Sequence, residues 1–242
     1  MSITAAELIL PTNWLLAALP RKDRERLRLK SKQVPLNFGT ILYEPGDTIR
    51  KIYFPTSGVV SLLSAAGERS TVEVGLVGKE GIVGLPVFLG VKTSQNLAVV
   101  QGEGSALSLT PSALAAECEL GGSLPHLLLR YAHSLLTQVG QAAACNRYHS
   151  LDARLARWLL MTHDRVETNE FKVTQEFLSD MLGVRREGVN KAAGSLQRRK
   201  LIRYSRGSLT ILNRTGLEAV ACLCYKLIRD EQSNVVSSSV RQ

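Results

Sequence analysis

Hydrophobic positions change their rhythm along the chain. From about Val34 to Leu109 they come in short β-prone runs: Ile41–Tyr43, Ile52–Phe54, Val59–Leu63, Thr71–Val74, Leu97–Val100 and Ala106–Leu109. Glycines fall between and beside these runs, at Gly39, Gly46, Gly58, Gly67, Gly78, Gly81, Gly84, Gly90, Gly102 and Gly104. Many short strands with closely spaced turn residues predict a β-sandwich or β-roll. Ahead of this region, Asn13 is suited to cap a short helix over Trp14–Leu19, and Pro20 suits the first turn of a second, polar helix.

After Thr110-Pro111 a helical spacing takes over. One long helix is predicted after Gly122, in which Leu124, Leu128, Tyr131, Leu135, Gln138, Ala142 and Cys145 recur at alternating steps of four and three. That period of 3.5 predicts a seam for a partner helix, with Gln138 as a polar residue that fixes register or touches a ligand. The alternative is a helix laid on the chain's own β-domain. A further helix, Leu151–Arg165, has Leu155, Trp158, Leu159 and Thr162 on a buried face, and Val166–Lys172 reads as a loop. The expected division is 1–121 for N-terminal helices and β-roll, 122–149 for the long helix, and 150–242 for a basic C-terminal domain.

Counting outward from Gly183, Leu178, Leu182, Val184, Val189 and Ala192 fall where two crossed helices need apolar contact, and Ser179 falls where they need a small residue. Gly183 itself suits the left-handed turn between them. Thr174 is placed to cap the first helix, with Glu176 in its first turn. The second helix, from about Arg186 to Arg199, carries Arg186, Glu187, Asn190 and Lys191 on its outer side, near the N-terminal end that reads bases in such motifs. Beyond it, Leu201–Tyr204 and Leu209–Leu212 flank Ser205-Arg206-Gly207-Ser208 as a hairpin, and Thr215-Gly216-Leu217-Glu218 has capping-box spacing for a last helix.

Charge sharpens this picture. The 242 residues carry a formal charge of +9. Between Arg185 and Arg206 there are eight basic residues against one acid, Glu187, so +7 of the excess is local. A polyanion is the expected partner, and Thr174, Arg185, Arg198, Arg199, Lys200, Arg203 and Arg206 are the expected phosphate contacts. Four cysteines, Cys118, Cys145, Cys222 and Cys224, are too few for a disulfide framework. Cys222 and Cys224 supply two metal ligands, and no cysteine or histidine adjacent in sequence completes four, so buried small apolar residues are expected and no metal. A redox role for Cys145, beside the seam, has nothing to support it. The N-terminus lacks a signal-peptide pattern and no apolar run reaches membrane-spanning length, so a cytoplasmic protein without a membrane partner is expected. No nucleophile–base pair or Walker-type phosphate loop appears, which speaks against an enzyme.

With these features in place, the chain resembles the cyclic-AMP receptor protein/FNR (CRP/FNR) superfamily of bacterial transcription regulators over Leu19 to Leu212. The most specific stretch is Gly183-Val184-Arg185-Arg186-Glu187-Gly188-Val189-Asn190-Lys191, similar to the superfamily's recognition-helix pattern G-x-S-R-E-x-V-x-R. Arg185 stands where a capping Ser is usual, and Lys191 where Arg is usual. The resemblance implies an α+β fold: an N-terminal β-roll of cyclic-nucleotide-binding type, a long dimerisation helix and a C-terminal winged helix-turn-helix. It implies a homodimer on double-stranded DNA, base contacts by Arg186, Glu187 and Lys191, and RNA polymerase as a further partner. The dimer interface is then expected at Leu124, Leu128, Tyr131, Leu135, Gln138 and Ala142.

Superfamily members that bind cyclic nucleotides follow a G-x-x-G turn with a Glu for the ribose and an Arg for the phosphate. Here Gly81-Ile82-Val83-Gly84 is followed by Leu85, and Thr93-Ser94-Gln95-Asn96 contains no Arg. A different small effector is therefore expected, in a pocket of Gly84, Leu85, Ser94, Gln95, Asn96 and Gln138. The alternative is a ligand-independent regulator whose β-roll serves dimerisation and polymerase contact. The iron–sulfur version of the superfamily uses N-terminal cysteines, absent before Cys118, and His126, His133, His149 and His163 lie on predicted helices where a haem ligand is not expected. No cofactor follows from the sequence.

Overall fold

Two of the glycines that punctuate the N-terminal half do not end strands but let strands cross closely. In a computed structural model, which describes residues 13–65, 71–166 and 168–237, the runs Ile52–Phe54 and Val59–Leu63 are one strand, and so are Leu97–Val100 and Ala106–Leu109. The strands are β1 (Lys32–Leu36), β2 (Ile41–Tyr43), β3 (Ile52–Ala65), β4 (Thr71–Val77) and β5 (Leu97–Leu109). Gly58 adopts φ +77°, and a β-carbon there would stand 2.6 Å from the Gly102 carbonyl oxygen; one on Gly104 would stand 2.3 Å from that of Ser57. The β3–β5 register shifts three times between Pro55 and Val60, so these glycines mark bulges that bend long strands rather than turns between short ones. The predicted turn at Gly67 lies outside the described residues.

The sheet is antiparallel and open, in the order β1-β5-β3-β4 with β2 also on β5, and it does not close into a barrel. Two short helices precede it. In α1 (Trp14–Ala17) Asn13 accepts from the Leu15 and Leu16 amides, while its own amide donates to the Pro55 and Gly81 carbonyls. Pro20 then opens α2 (Arg21–Lys30). A single turn, α3 (Leu85–Phe88), follows Gly84, and α4 (Pro111–Glu119) is capped by Thr110.

The long helix α5 spans Ser123–Tyr148, and its seam faces inward. Leu124, Leu128, Tyr131, Gln138, Ala142 and Cys145 are buried by the chain itself. Tyr131 lies over Gly81, where a β-carbon would meet its ring, and Leu135 lies over Gly75. The Gln138 amide is held at both ends by Leu76, accepting from its N–H at 2.9 Å and donating to its carbonyl at 3.2 Å. The expected dimer interface on these residues is therefore corrected: the 3.5-residue period is real, but sheet packing generates it.

The C-terminal part contains α6 (Leu151–Val166), β6 (Glu170–Lys172), α7 (Gln175–Leu182), α8 (Arg186–Arg198), β7 (Ile202–Ser205), β8 (Ser208–Ile211), α9 (Arg214–Val220) and α10 (Leu223–Ser237). Strand β6, expected as loop, pairs with β8 and completes a wing of order β6-β8-β7; only Phe171 of its three residues is buried, too short a pattern to show alternation. The cap of α9 is Asn213, which accepts from the Gly216 amide at 2.8 Å, not Thr215. The last helix is α10, laid along α5, with Arg130 donating to the Asn234 carbonyl and His133 facing Glu231. One apolar core joins the sheet, α4 and α5; a second joins α6–α10 and the wing to Val59, Leu63, Leu76 and Val99 of the sheet.

Candidate nucleic-acid interface

The helix-turn-helix forms as the residues dictate. Thr174 caps α7 by accepting from the Phe177 amide at 3.1 Å, and Gly183 ends it at φ +60°, ψ +43°, a conformation costly for any residue with a β-carbon. Leu178, Leu182, Val189 and Ala192 are buried between the two helices, with Val184 half-buried. Ser179 is also buried, and its hydroxyl donates to the Glu176 carbonyl. Arg185 occupies the N-cap of α8 with no side-chain cap, and the Gly188 N–H donates to the Arg185 carbonyl at 2.9 Å, so the N–H groups of Arg186 and Glu187 are the ones an external acceptor would meet.

At about 100° per residue, Val189, Ala192, Ala193 and Leu196 form the inner face of α8, and all four are buried. Arg186, Glu187, Asn190 and Lys191 are all exposed, Glu187 and Lys191 opposite that face and Arg186 and Asn190 on its flank. Arg186 reaches back to Glu176 at 2.5 Å in a pair exposed on both sides. Such a pair contributes at most about 1 kcal/mol, so a base edge or phosphate competes readily for the guanidinium. The separation of ten residues gave no sign of this pairing in the sequence.

The wing turns at Arg206 (φ +50°) and Gly207 (φ +78°), a two-residue hairpin with both central residues left-handed. Arg203, Arg206, Arg198, Arg199 and Lys200 are all exposed. Between the start of α7 and the wing lies an open cleft lined by Thr174, Gln175, Glu176, Arg186, Tyr204, Ser205, Arg206 and Gly207. Tyr204 ties its far wall down by donating to the Val173 carbonyl at 3.0 Å. The cleft thus joins two cationic groups, Arg186 of α8 and Arg206 of the wing, to the N-terminal end of α7, a surface suited to a polyanion backbone that would displace Glu176 from Arg186.

The module is not free of the sheet. A β-carbon on Gly183 would meet Val72 of β4 at 3.2 Å, and the Phe38 and Phe177 rings stand 5.9 Å apart. Two buried polar links cross the same boundary. Arg165 of α6 donates to Glu80 at 2.7 Å, both side chains being buried. Glu73, Ser61 and Gln101 on the sheet are joined in a chain that ends on Thr162 of α6. Burial pushes the Glu73 carboxyl up to about 7, against the pull of the Ser61 hydroxyl and the Arg157 charge.

The expected effector pocket does not survive. Leu85 is packed in the core, Gln138 is occupied by Leu76, and the buried Ser94 hydroxyl is bonded to the main chain of Asn96. Asn96 reaches the Leu63 carbonyl and Gln95 is exposed, so these side chains are committed to packing and backbone contacts or point outward. A cavity of about 260 Å³ lies elsewhere, between β5 and the winged helix, with Phe38, Gln101, Glu103, Trp158, Thr162 and Lys172 among its lining.

The expectation that Cys222 and Cys224 find no further metal-ligand residues also fails. At the C-terminal end of α5, Cys145 and His149 meet both of them, and the four ligand atoms lie within 4.8 Å of one another. The fold brings together residues 73 or more positions apart, which spacing in the sequence could not show.

Residues 153–220 match the Crp-like helix-turn-helix domain family. Among solved structures, FixK2 from Bradyrhizobium japonicum superposes with a TM-score of 0.66 at 13% identity, over 79% of this chain and 98% of that one. The c-di-GMP responsive global regulator CLP of Xanthomonas campestris gives 0.64 at 18%, over 79% and 99%. A CRP-family transcriptional regulator from Thermus thermophilus gives 0.64 at 21%, over 78% and 96%. No curated protein sequence matches this chain.

Proposed function

We propose that this chain, with a Crp-like helix-turn-helix domain and the fold of CRP/FNR-family regulators, is a member of the CRP/FNR superfamily and a transcription regulator that binds a near-palindromic DNA site as a homodimer. The observation that carries the reading is the exposed surface of α8, where Arg186, Glu187, Asn190 and Lys191 lie outside a buried apolar face. Arg186 and Lys191 suit guanine, Asn190 suits adenine, and Glu187 accepts from cytosine or orients Arg186. Thr174, Arg185, Arg198, Arg199, Lys200, Arg203 and Arg206 hold phosphates on either side, and they set a steep salt dependence.

Dimerisation uses the side of α5 turned away from the sheet. Leu129 and Leu136 are 54% and 70% exposed, and with Gly140 and Ala143 they fall within about 60° of arc. Spacings of seven, four and three continue a coiled-coil seam, and the small residues permit close helix approach where the pair converges. Two chains joined here would present two recognition helices to successive major grooves about 34 Å apart.

Regulation would act on the packing between sheet and winged helix. The c-di-GMP responsive CLP shares the fold, but here Leu85 is buried and Thr93–Asn96 offers no guanidinium for a phosphate. The cavity between β5 and the winged helix is the better place for a small effector, since it borders both bodies. Capture of fragmented genomic DNA on the purified protein, followed by sequencing, tests the reading. Enrichment of a near-palindrome with half-sites one helical turn apart is expected; recovery of fragments without a shared sequence would refute it.

A further inference from the structure

Cys145 and His149 lie one helical turn apart at the C-terminal end of α5, so both side chains emerge on the same side. Cys222 sits in the link between α9 and α10, and Cys224 in the first turn of α10. Where the elements meet, the Cys145 and Cys222 sulfurs are 3.4 Å apart and the Cys224 sulfur is 3.6 Å from His149 Nδ1. All four cysteines of the chain are free thiols, and the Cys145–Cys222 separation is too long for a disulfide.

These two distances are close to the edges of a coordination tetrahedron. Zinc–sulfur bonds of about 2.3 Å and zinc–nitrogen bonds of about 2.0 Å place tetrahedral ligands roughly 3.8 Å apart for two sulfurs and roughly 3.6 Å for sulfur and nitrogen. The four ligand atoms all lie within 4.8 Å of one another, close enough to share a single ion. Cys145 and Cys224 are buried, while His149 and Cys222 are half-buried, so the site is nearly closed to water.

A second observation concerns charge. Arg154 and Arg157 of α6 are buried at 8% and 6% exposure, and both act electrostatically on the cluster's sulfurs. Arg154 donates to the Leu182 carbonyl and Arg157 to the Met161 sulfur, yet the Nε of each lacks a hydrogen-bond partner among the described residues. Neither makes an ion pair there within 4 Å. Two buried guanidiniums so placed call for an anion. A divalent ion with three thiolates and a neutral imidazole carries one net negative charge; binding would release three thiol protons to solvent and transfer no electrons.

We infer that Cys145, His149, Cys222 and Cys224 form a structural site for one thiophilic, tetrahedral divalent ion of the zinc class, which fastens the start of α10 to the end of α5. The joint lies where the long helix gives way to the winged-helix part, so the ion fixes the angle at which that part leaves α5.

The test uses the full-length protein purified anaerobically from zinc-supplemented cells. Elemental analysis is expected to find one zinc per chain, and Cys118→Ser, which alters a cysteine outside the cluster, should keep it. Cys224→Ser and His149→Gln should each lose most of it. Because either variant can fold poorly, wild-type protein is also stripped and reloaded with cobalt(II). Thiolate-to-cobalt charge transfer and intense visible bands of tetrahedral cobalt are expected, together with slower amide exchange in residues 223–237 on metal loading. Folded wild-type protein holding no stoichiometric zinc and giving no tetrahedral cobalt spectrum would overturn the inference. A Cys145–Cys222 disulfide in the anaerobic protein would overturn it as well. DNA binding enters none of these readouts, so the site stands or falls separately from the proposed function.

Discussion

Replacing Glu73 by Gln should stabilise the protein above neutral pH and remove part of its pH dependence. Glu73 is 8% exposed, on β4, and its Oε2 lies 2.8 Å from the Ser61 hydroxyl. Ser61 is also 2.5 Å from Gln101 Oε1, and Gln101 Nε2 lies 2.8 Å from the Thr162 hydroxyl. A serine hydroxyl has one proton, so it cannot donate to both oxygens at once. With Glu73 protonated the chain closes in one direction: Glu73 donates to Ser61, Ser61 to Gln101, and Gln101 to Thr162. With Glu73 ionised, Ser61 must turn to the carboxylate, and Gln101 and Thr162 must reverse their donors for the chain to close again.

Desolvation raises the folded-state pKa from 4.5 to about 7. The native state therefore holds this proton more tightly than the unfolded chain. Stability from this group is fully present below about pH 4.5, falls as pH rises, and is lost above about pH 7. At about 1.36 kcal/mol per pKa unit the whole loss is roughly 3 kcal/mol, of which about 2.5 falls between pH 5 and pH 8. Gln keeps the shape and cannot ionise. Urea unfolding of both proteins at several pH values would give the stability difference directly; the advantage of Glu73→Gln should grow by that amount from pH 5 to pH 8. A difference independent of pH would mean that Glu73 is ionised in the fold, and the proton arrangement above would be wrong.

Other consequences concern the proposed DNA-binding dimer. Leu136→Glu, on the exposed stripe of α5, should give a monomer by sedimentation at concentrations where the wild type is a dimer, with an unaltered thermal transition of the separate chain; an unchanged dimer would remove the stripe from the interface. Arg186→Ala and Glu187→Ala should each cost about 1–3 kcal/mol on the preferred sequence and relax the choice of base at one position, read by competition binding against base-substituted sites. Equal discrimination by mutant and wild type would contradict the assigned recognition face. Arg199→Ala should weaken binding to specific and random DNA alike and make the salt dependence shallower, by about one in the slope of log affinity against log salt. A loss confined to one sequence would instead make Arg199 a base reader.

Local chemistry was legible because it depends on neighbours in sequence. Thr174, Gly183 and the apolar positions around them announced the helix-turn-helix, and the structure supplies the expected cap and left-handed turn. The long helix was equally plain from its spacing, but its orientation was not. Positions 124, 128, 131, 138 and 142 repeat like a coiled coil whether they meet another helix or a sheet, and only the buried Leu76–Gln138 bonds decide between them. Glycine misled for a related reason. Gly58 and Gly104 have the residue type of a turn, but their need for space comes from a crossing with another strand, set by residues more than forty positions away.

The features that escaped the sequence are spread along the length of α6, from the cysteine cluster beside its start to Arg165 in its last turn. Glu80 with Arg165, the Glu73–Ser61–Gln101–Thr162 chain, and the Cys145–His149–Cys222–Cys224 cluster each join segments distant in sequence at the margins of α6. Apolar contacts alone would let the winged helix shift against the sheet at modest cost, since side chains such as Leu76 and Leu159 can exchange similar neighbours. Buried polar groups do not slide in this way: a displacement that breaks one bond leaves a desolvated donor, acceptor or charge, at about 1–3 kcal/mol for a neutral group and more for a charged one. Several such links therefore favour a few discrete arrangements of the winged helix over a continuum. That is the kind of joint a regulator needs, because an effector, a proton or a metal ion can select between discrete states only through contacts that differ between them.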